Sequence, residues 1–108
     1  SHVPHLLAFA AVNALSAQPQ GAGFLAMAGP GFRDFSRIAA SDPDVWRDIL
    51  SANQAEVLTQ TRHFRAALEQ FEKAIQSNDL EALRQLIDQA SQVRSGWALQ
   101  TGPAEHED

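Results

Sequence analysis

The feature that most limits the fold is a long stretch without helix breakers, from residue 43 to about residue 77. After Pro43 it contains no glycine and no further proline, and Asn53 is the one polar interruption of its apolar stripe. The stripe recurs at helical spacing through Trp46, Leu50, Val57, Phe64, Leu68, Phe71 and Ile75. A single helix of about 35 residues would be roughly 52 Å long, whereas a compact globule of this chain length is about 34 Å across. We therefore predict an intertwined homodimer in which two subunits share the stripe.

Helical patterns also flank this stretch. Residues 6–15 are apolar on nearly every side and follow Pro4, which suits a first helical turn, so we expect a buried helix there. Residues 32–40 predict a short helix, and residues 80–97 predict a final amphipathic helix that returns antiparallel to the long one. The sequence shows no strand pattern and no internal repeat. The predicted class is all-α, a helical bundle with one long central helix.

Turn and cap residues mark the ends of these helices. Residues 18–23 carry a proline and two glycines and are typical of a loop, and residues 24–28 are a candidate short helical turn. Ser41 or Asp42 is expected to cap the helix that begins at Pro43. A capping pair, Asn78 with Glu81, is predicted at the start of the last helix.

Composition excludes several classes of partner. The chain has 108 residues, enough for one domain at most, with 8 Lys+Arg against 13 Asp+Glu and a net charge of −5. This balance gives no basic field for nucleic acid or an anionic membrane surface, and no apolar run reaches the ~18 residues of a membrane helix. The absence of cysteine excludes a disulfide framework and a thiolate metal site. Cytoplasmic localisation is the expectation.

The two ends of the chain bear on its organisation. The sequence begins without an initiator methionine and leads directly into the first apolar run. We therefore expect a fragment of a longer chain, with the missing part upstream. Residues 1–100 are assigned to one helical domain, and residues 101–108 to a flexible acidic tail.

Two histidines near the start, His2 and His5, lie three residues apart, a spacing also found in metal sites. Because no third ligand follows at readable spacing, we expect no metal site. The residues leave two interpretations of His5 open: a ring N–H in a cleft that donates to an anionic ligand, or a hydrogen-bonded core histidine. His63 and His106 carry no functional signal.

The densest group of local signals lies in residues 29–49. Within it, Arg37 follows a glycine turn and lies among apolar residues, where a guanidinium can make a paired contact with a carboxylate. The alternative is a surface arginine that pairs with Asp34 or Asp42. The two glycines of the turn match neither a dinucleotide-binding nor a P-loop fingerprint.

Four short stretches carry a family resemblance. They are SHVPH at residues 1–5, GFRDFSRIA at 31–39, SDP at 41–43 and WRDI at 46–49. Together they resemble the C-terminal helical domain of prephenate dehydrogenases, whose relatives use arogenate or accept both substrates. The resemblance implies a homodimeric two-domain oxidoreductase of tyrosine biosynthesis, with an upstream dinucleotide-binding domain absent from this chain. The implied reaction is oxidative decarboxylation of prephenate to 4-hydroxyphenylpyruvate with NAD or NADP, without a metal and with tyrosine as a candidate inhibitor, and the isolated fragment is expected to be inactive.

The resemblance also implies roles for individual residues. Arg37 matches the arginine that binds a prephenate carboxylate, and His5 matches the second histidine of a substrate-pocket motif. Arg33 and Asp34 match a charged pair near the pocket and the subunit interface. Two further substrate contacts are implied, Gly31 and Trp46. The catalytic histidine of the family lies in the upstream domain, so no catalytic residue is expected in this chain.

Two other functions remain open at this point. One is a purely structural helical dimerisation or adaptor module without a ligand, which a titration with prephenate or tyrosine would distinguish. The other is the helical domain of a different NAD(P)-dependent dehydrogenase. Residues 32–49 argue against the latter because they carry the most specific part of the resemblance.

Overall fold

The computed structural model describes the backbone of residues 2–100 and the side chains of residues 2–97. The predicted tail at residues 101–108 lies outside the described residues. The described part consists of helices without a strand, which confirms the all-α class. None of its helices is long and apolar enough to cross a membrane. The helices are α1 (His2–Ser16), α2 (Gly21–Met27), α3 (Pro30–Ser36), a 3₁₀ turn (Arg37–Ala39), α4 (Pro43–Ala52), α5 (Gln54–Gln76) and α6 (Leu80–Gln100).

The chain divides into two compact units, and in the first, which ends at Leu58, α1 is the central element. It packs against α2, α3 and the 3₁₀ turn. Ala8 is fully buried, but the other large apolar side chains of α1 are only half-buried. The prediction of a buried first helix is therefore too strong. The elements that cover α1 are only seven, seven and three residues long, too short to enclose a helix that is apolar nearly all round.

Gly21 brings α1 and α2 close together. A Cβ at this position would lie 2.6 Å from the carbonyl oxygen of Ser16 and 2.7 Å from that of Leu15. Only glycine permits such an approach of backbone to backbone. The prediction of a loop over residues 18–23 is therefore wrong at its end, since Gly21 already begins α2.

A 3₁₀ turn and one side-chain cap shape the segment between α3 and α4. α3 begins at Pro30, earlier than predicted, and its helical path continues into the 3₁₀ turn that contains Arg37. Asp42 then caps α4, because its Oδ1 accepts hydrogen bonds from the backbone N–H of Asp44 at 2.9 Å and of Val45 at 3.2 Å. The predicted helix start at this position is confirmed.

The long helix predicted over residues 43–77 is in fact two helices, separated at Asn53. The side-chain amide of Asn53 donates to the backbone carbonyl of Ile49 at 2.7 Å. The backbone carbonyl of Asn53 accepts from the N–H of Val57 at 3.0 Å, and this bond starts α5. The one polar residue of the stripe thus ends α4 by satisfying a carbonyl of its last turn. Because α5 alone has 23 residues, about 35 Å, the length argument for a dimer no longer holds.

The second unit, which begins at Thr59, contains most of α5 and all of α6. Asn78 adopts a left-handed conformation (φ 56°), and its N–H and that of Asp79 donate back to the last turn of α5. The Asp79 carboxylate accepts from the N–H of Ala82 at 3.0 Å and so caps α6. The predicted capping pair of Asn78 and Glu81 is wrong, because Asn78 ends α5 and Asp79 is the cap.

α5 and α6 run antiparallel, as predicted. A groove near the connecting turn is lined by Ala74 and Ala82, and a groove of about 620 Å³ farther away is lined by Ala67 and Trp97. Large apolar side chains nevertheless remain exposed on both helices. These are Leu58, Phe64, Leu68 and Ile75 on α5, and Leu80, Ile87, Val93 and Trp97 on α6.

Candidate functional site

Trp46 lies at the centre of an aromatic cluster in the first unit. Its ring stacks on the His5 imidazole, with the centroids 3.7 Å apart and the planes 16° apart. The edges of His2 and Phe9 approach it with centroids at 6.2 Å and 6.3 Å. We call these four residues the aromatic cluster. Its contacts hold the first turn of α4 against the start of α1.

The local sequence explains why the cluster forms. His2, His5 and Phe9 are spaced three and four residues apart, so they share one face of α1. Trp46 lies in the first turn of α4, whose position is set by the Asp42 cap. The stacking on Trp46 therefore gives the imidazole of His5 a fixed orientation.

A groove of about 380 Å³ lies beside the cluster, between α1, α4 and the segment that follows the 3₁₀ turn. Its walls are apolar with a few polar groups. The apolar side includes Phe9, Val12, Trp46 and Leu50, and the polar side includes Asn13, Ser41 and Arg47. A concave apolar site with a few polar groups is the usual form of a small-molecule site.

Arg37 is exposed on the 3₁₀ turn. Among the described residues it forms no ion pair with Asp34 or Asp42. Asp42 instead accepts the hydrogen bonds that cap α4. The ion pair of that alternative is therefore wrong, but its surface position is confirmed, and the guanidinium is accessible to an external anion.

The remaining predicted site residues lie on α3. Gly31 is exposed, and a Cβ added there would meet nothing within 4 Å, so the fold of this chain does not itself require glycine. Arg33 and Asp34 are also exposed, and within the described part of the chain they form no ion pair with each other. None of these three residues lines the groove beside Trp46.

The structure thus joins only some of the predicted residues. It brings His5 and Trp46 into direct contact, but Arg37 is not among the residues that line the groove beside them. Sequence reasoning missed Phe9 and Asn13, which line the groove. The spacing of Phe9 four residues after His5, on the same helical face, was the available signal.

Comparison with known proteins identifies the family. Residues 1–89 match the family model described as "Prephenate dehydrogenase, dimerization domain". The chain belongs to this family. The predicted resemblance is therefore confirmed, and membership in a different dehydrogenase family is excluded.

Relatives of this prephenate dehydrogenase dimerization domain are dehydrogenases. A cyclohexadienyl dehydrogenase of Zymomonas mobilis is 30% identical over 96 residues, which are 87% of this chain and 33% of the relative. A prephenate dehydrogenase of Bacillus subtilis is 31% identical over 92% of this chain and 27% of its own length. A prephenate dehydrogenase of Lactococcus lactis is 26% identical over 94% of this chain and 29% of its own length. The chain spans about a third or less of these curated relatives, and no solved structure matches it.

Proposed function

We propose that this chain is the dimerisation and substrate-binding domain of a cytoplasmic prephenate or arogenate dehydrogenase of tyrosine biosynthesis. The enzyme oxidises and decarboxylates its cyclohexadienyl substrate, with NAD or NADP as hydride acceptor. With prephenate as substrate the product is 4-hydroxyphenylpyruvate. The observation that carries this proposal is the family match over residues 1–89, together with dehydrogenase relatives at about 30% identity. Tyrosine, the amino acid made from this product, is the proposed inhibitor.

The residues of this chain do not fit a dinucleotide site. Such a site needs a β-strand that leads through a glycine-rich turn into a helix, so that the pyrophosphate meets the helix N-terminus. Here the glycines of residues 29–31 open a seven-residue helix, and the described residues contain no strand. We therefore assign NAD(P), and the catalytic histidine, to a separate dinucleotide-binding domain of the enzyme.

The role proposed for Arg37 is to bind a carboxylate of the substrate. Its guanidinium is exposed and has no ion pair among the described residues, so no ion pair has to break when an anion binds. Arg33 lies four residues earlier, on the same flank of the helical segment, and adds a second positive charge. A planar guanidinium matches a carboxylate with two parallel hydrogen bonds.

The role proposed for the aromatic cluster is to shape the pocket. Stacking on Trp46 fixes the His5 ring, and a fixed ring can direct an N–H to a polar group of the substrate. Trp46 also lines the adjoining groove, where its ring can exclude water from the bound substrate. Gly31 and Asp34 remain proposed pocket residues from the family resemblance alone.

Steady-state kinetics of the dimeric enzyme that carries this domain tests the proposal. Arg37→Ala should raise the KM for prephenate, because losing a charge-assisted contact in a closed site costs on the order of 2–4 kcal/mol. Arg37→Lys should recover only part of the loss, since an ammonium cannot form the bidentate contact. Arg84→Ala, which removes an exposed arginine of α6, is the matched control and should leave the KM unchanged.

An unchanged KM in Arg37→Ala would refute the role of this arginine. Absence of heat on titration of the wild-type enzyme with prephenate and arogenate would support the other function, a structural dimerisation module without a ligand. The two outcomes are separable, because the first leaves binding by the wild-type protein intact.

A further inference from the structure

α5 carries an apolar seam that nothing in its own unit covers completely. The seam follows the alternating spacing of four and three residues that defines a coiled-coil heptad. Its members, which we call the α5 seam, are Thr61, Phe64, Leu68, Phe71 and Ile75. The side chains of Phe64, Leu68 and Ile75 are 46%, 50% and 62% exposed. Such a seam is suited to pairing with another helix.

The two flanks of the seam differ. On one flank lie Ala67 and Ala74, small residues that line the grooves shared with α6, and Ala74 is buried. On the other flank lie Arg65 and Glu72, both exposed. Neither forms an ion pair or a side-chain hydrogen bond within the described residues. They lie seven residues apart, about 10.5 Å along the axis, so they cannot pair within their own helix.

We propose that α5 pairs antiparallel with α5 of a second copy, so that Arg65 contacts Glu72 of the partner subunit and Glu72 contacts Arg65 of the partner subunit. The inference rests on the proposed homodimer. It adds which helix forms the interface and in which direction the two copies of that helix run. A two-fold axis near residue 69 places Leu68 against Phe71 of the partner subunit. The same axis brings the charged flanks of the two helices together, and both ion pairs form at once.

The charge pattern favours this partner and this orientation. In an antiparallel pair the charged flank of one helix meets the charged flank of the other, whereas a parallel pair would set Arg65 against the alanine flank. A basic residue and an acidic residue two turns apart make the surface complementary to itself. The family description as a dimerization domain points to the same occupant.

Charge reversal tests the pairing by sedimentation equilibrium of the 108-residue chain. Arg65→Glu alone and Glu72→Arg alone should each raise the dimer Kd by on the order of tenfold or more, because each places like charges together at two symmetric positions. An equimolar mixture of the two variants should form heterodimers with near wild-type affinity. The double variant R65E/E72R should also recover. Glu81→Arg, an exposed reversal on α6, is the control and should leave the Kd unchanged.

The outcomes separate the two proposals. Recovery in the mixture supports the antiparallel pair, since residues 65 and 72 cannot compensate each other within one helix. A wild-type dimer that Arg65→Glu does not weaken, or a mixture that shows no recovery, would overturn the pairing but leave the homodimer standing. A wild-type chain that stays monomeric at high micromolar concentration would overturn both. Circular dichroism of each variant confirms that the helices are retained.

Discussion

The two tryptophans, one in each unit, have different surroundings. Trp46, in the first unit, is half-buried and has ring contacts with His2, His5 and Phe9 of the same chain. Trp97, in the second unit, is 53% exposed, and the guanidinium of Arg94 lies 4.5 Å from its ring centroid. The ring of Trp46 is therefore held by other rings of its own unit, whereas the ring of Trp97 lies mainly at the surface.

We propose a different kind of partner for each unit. The aromatic cluster and its groove are preformed within one chain, which suits a small ligand. The α5 seam has exposed side chains in a continuous row, which suits a second helix. The family description names dimerization, the property proposed for the second unit. The two units therefore offer separate surfaces for mutation.

The largest effect is expected from placing a charge in the α5 seam. Burial of Leu68 in a two-fold interface contributes about 1.5–3 kcal/mol from each subunit, so Leu68→Glu should raise the dimer Kd by at least roughly 100-fold. Sedimentation equilibrium measures the Kd, and far-UV circular dichroism reports whether the helices persist.

Leu25→Glu is the matched control, because Leu25 is an exposed leucine of α2 in the first unit. It should leave the dimer Kd within about twofold of wild type, since surface substitutions away from a special feature usually have small effects. If both leucine variants dissociate the dimer equally, the assignment of the dimer surface to the α5 seam is wrong.

A smaller effect is expected on stability from removing the tryptophans one at a time. Trp46→Ala should lower the free energy of unfolding by about 2–3 kcal/mol, because a half-buried ring with three aromatic contacts is lost. Trp97→Ala should lower it by only about 0.5–1 kcal/mol, the range for an exposed cation–π contact. Urea unfolding at one fixed chain concentration gives both values. Equal losses would contradict the comparison between the tryptophans.

Sequence reasoning predicted the local features better than the contacts between helices. The helix start at Asp42 was predictable, because the cap and the proline after it act within four residues. The break at Asn53 was not, because asparagine costs a helix only a fraction of 1 kcal/mol and its side-chain bond to Ile49 decides the outcome. The close approach at Gly21 is likewise visible only from the path of the backbone.

The candidate site shows the same limit. The His5 and Trp46 rings meet across forty residues of sequence, and no periodicity in either helix specifies that contact. The competing interpretation of Arg37 involved two carboxylates nearby in sequence, Asp34 and Asp42. Only the geometry shows that neither carboxylate forms an ion pair with Arg37, and that Asp42 caps α4 instead.

An effect about as small as that of Trp97→Ala should be shared by both units, because each contains a helix that begins with an aspartate cap. Asp42 accepts two backbone N–H groups and Asp79 accepts one. Asp42→Ala and Asp79→Ala should each lower the free energy of unfolding by about 1 kcal/mol, the first by slightly more, as measured by urea unfolding. Asp→Asn at the same positions should lose little, since asparagine caps about as well. If Asp42→Asn destabilises as much as Asp42→Ala, then the negative charge of the carboxylate, through its attraction to the positive end of the helix dipole, stabilises α4 more than the capping hydrogen bonds do.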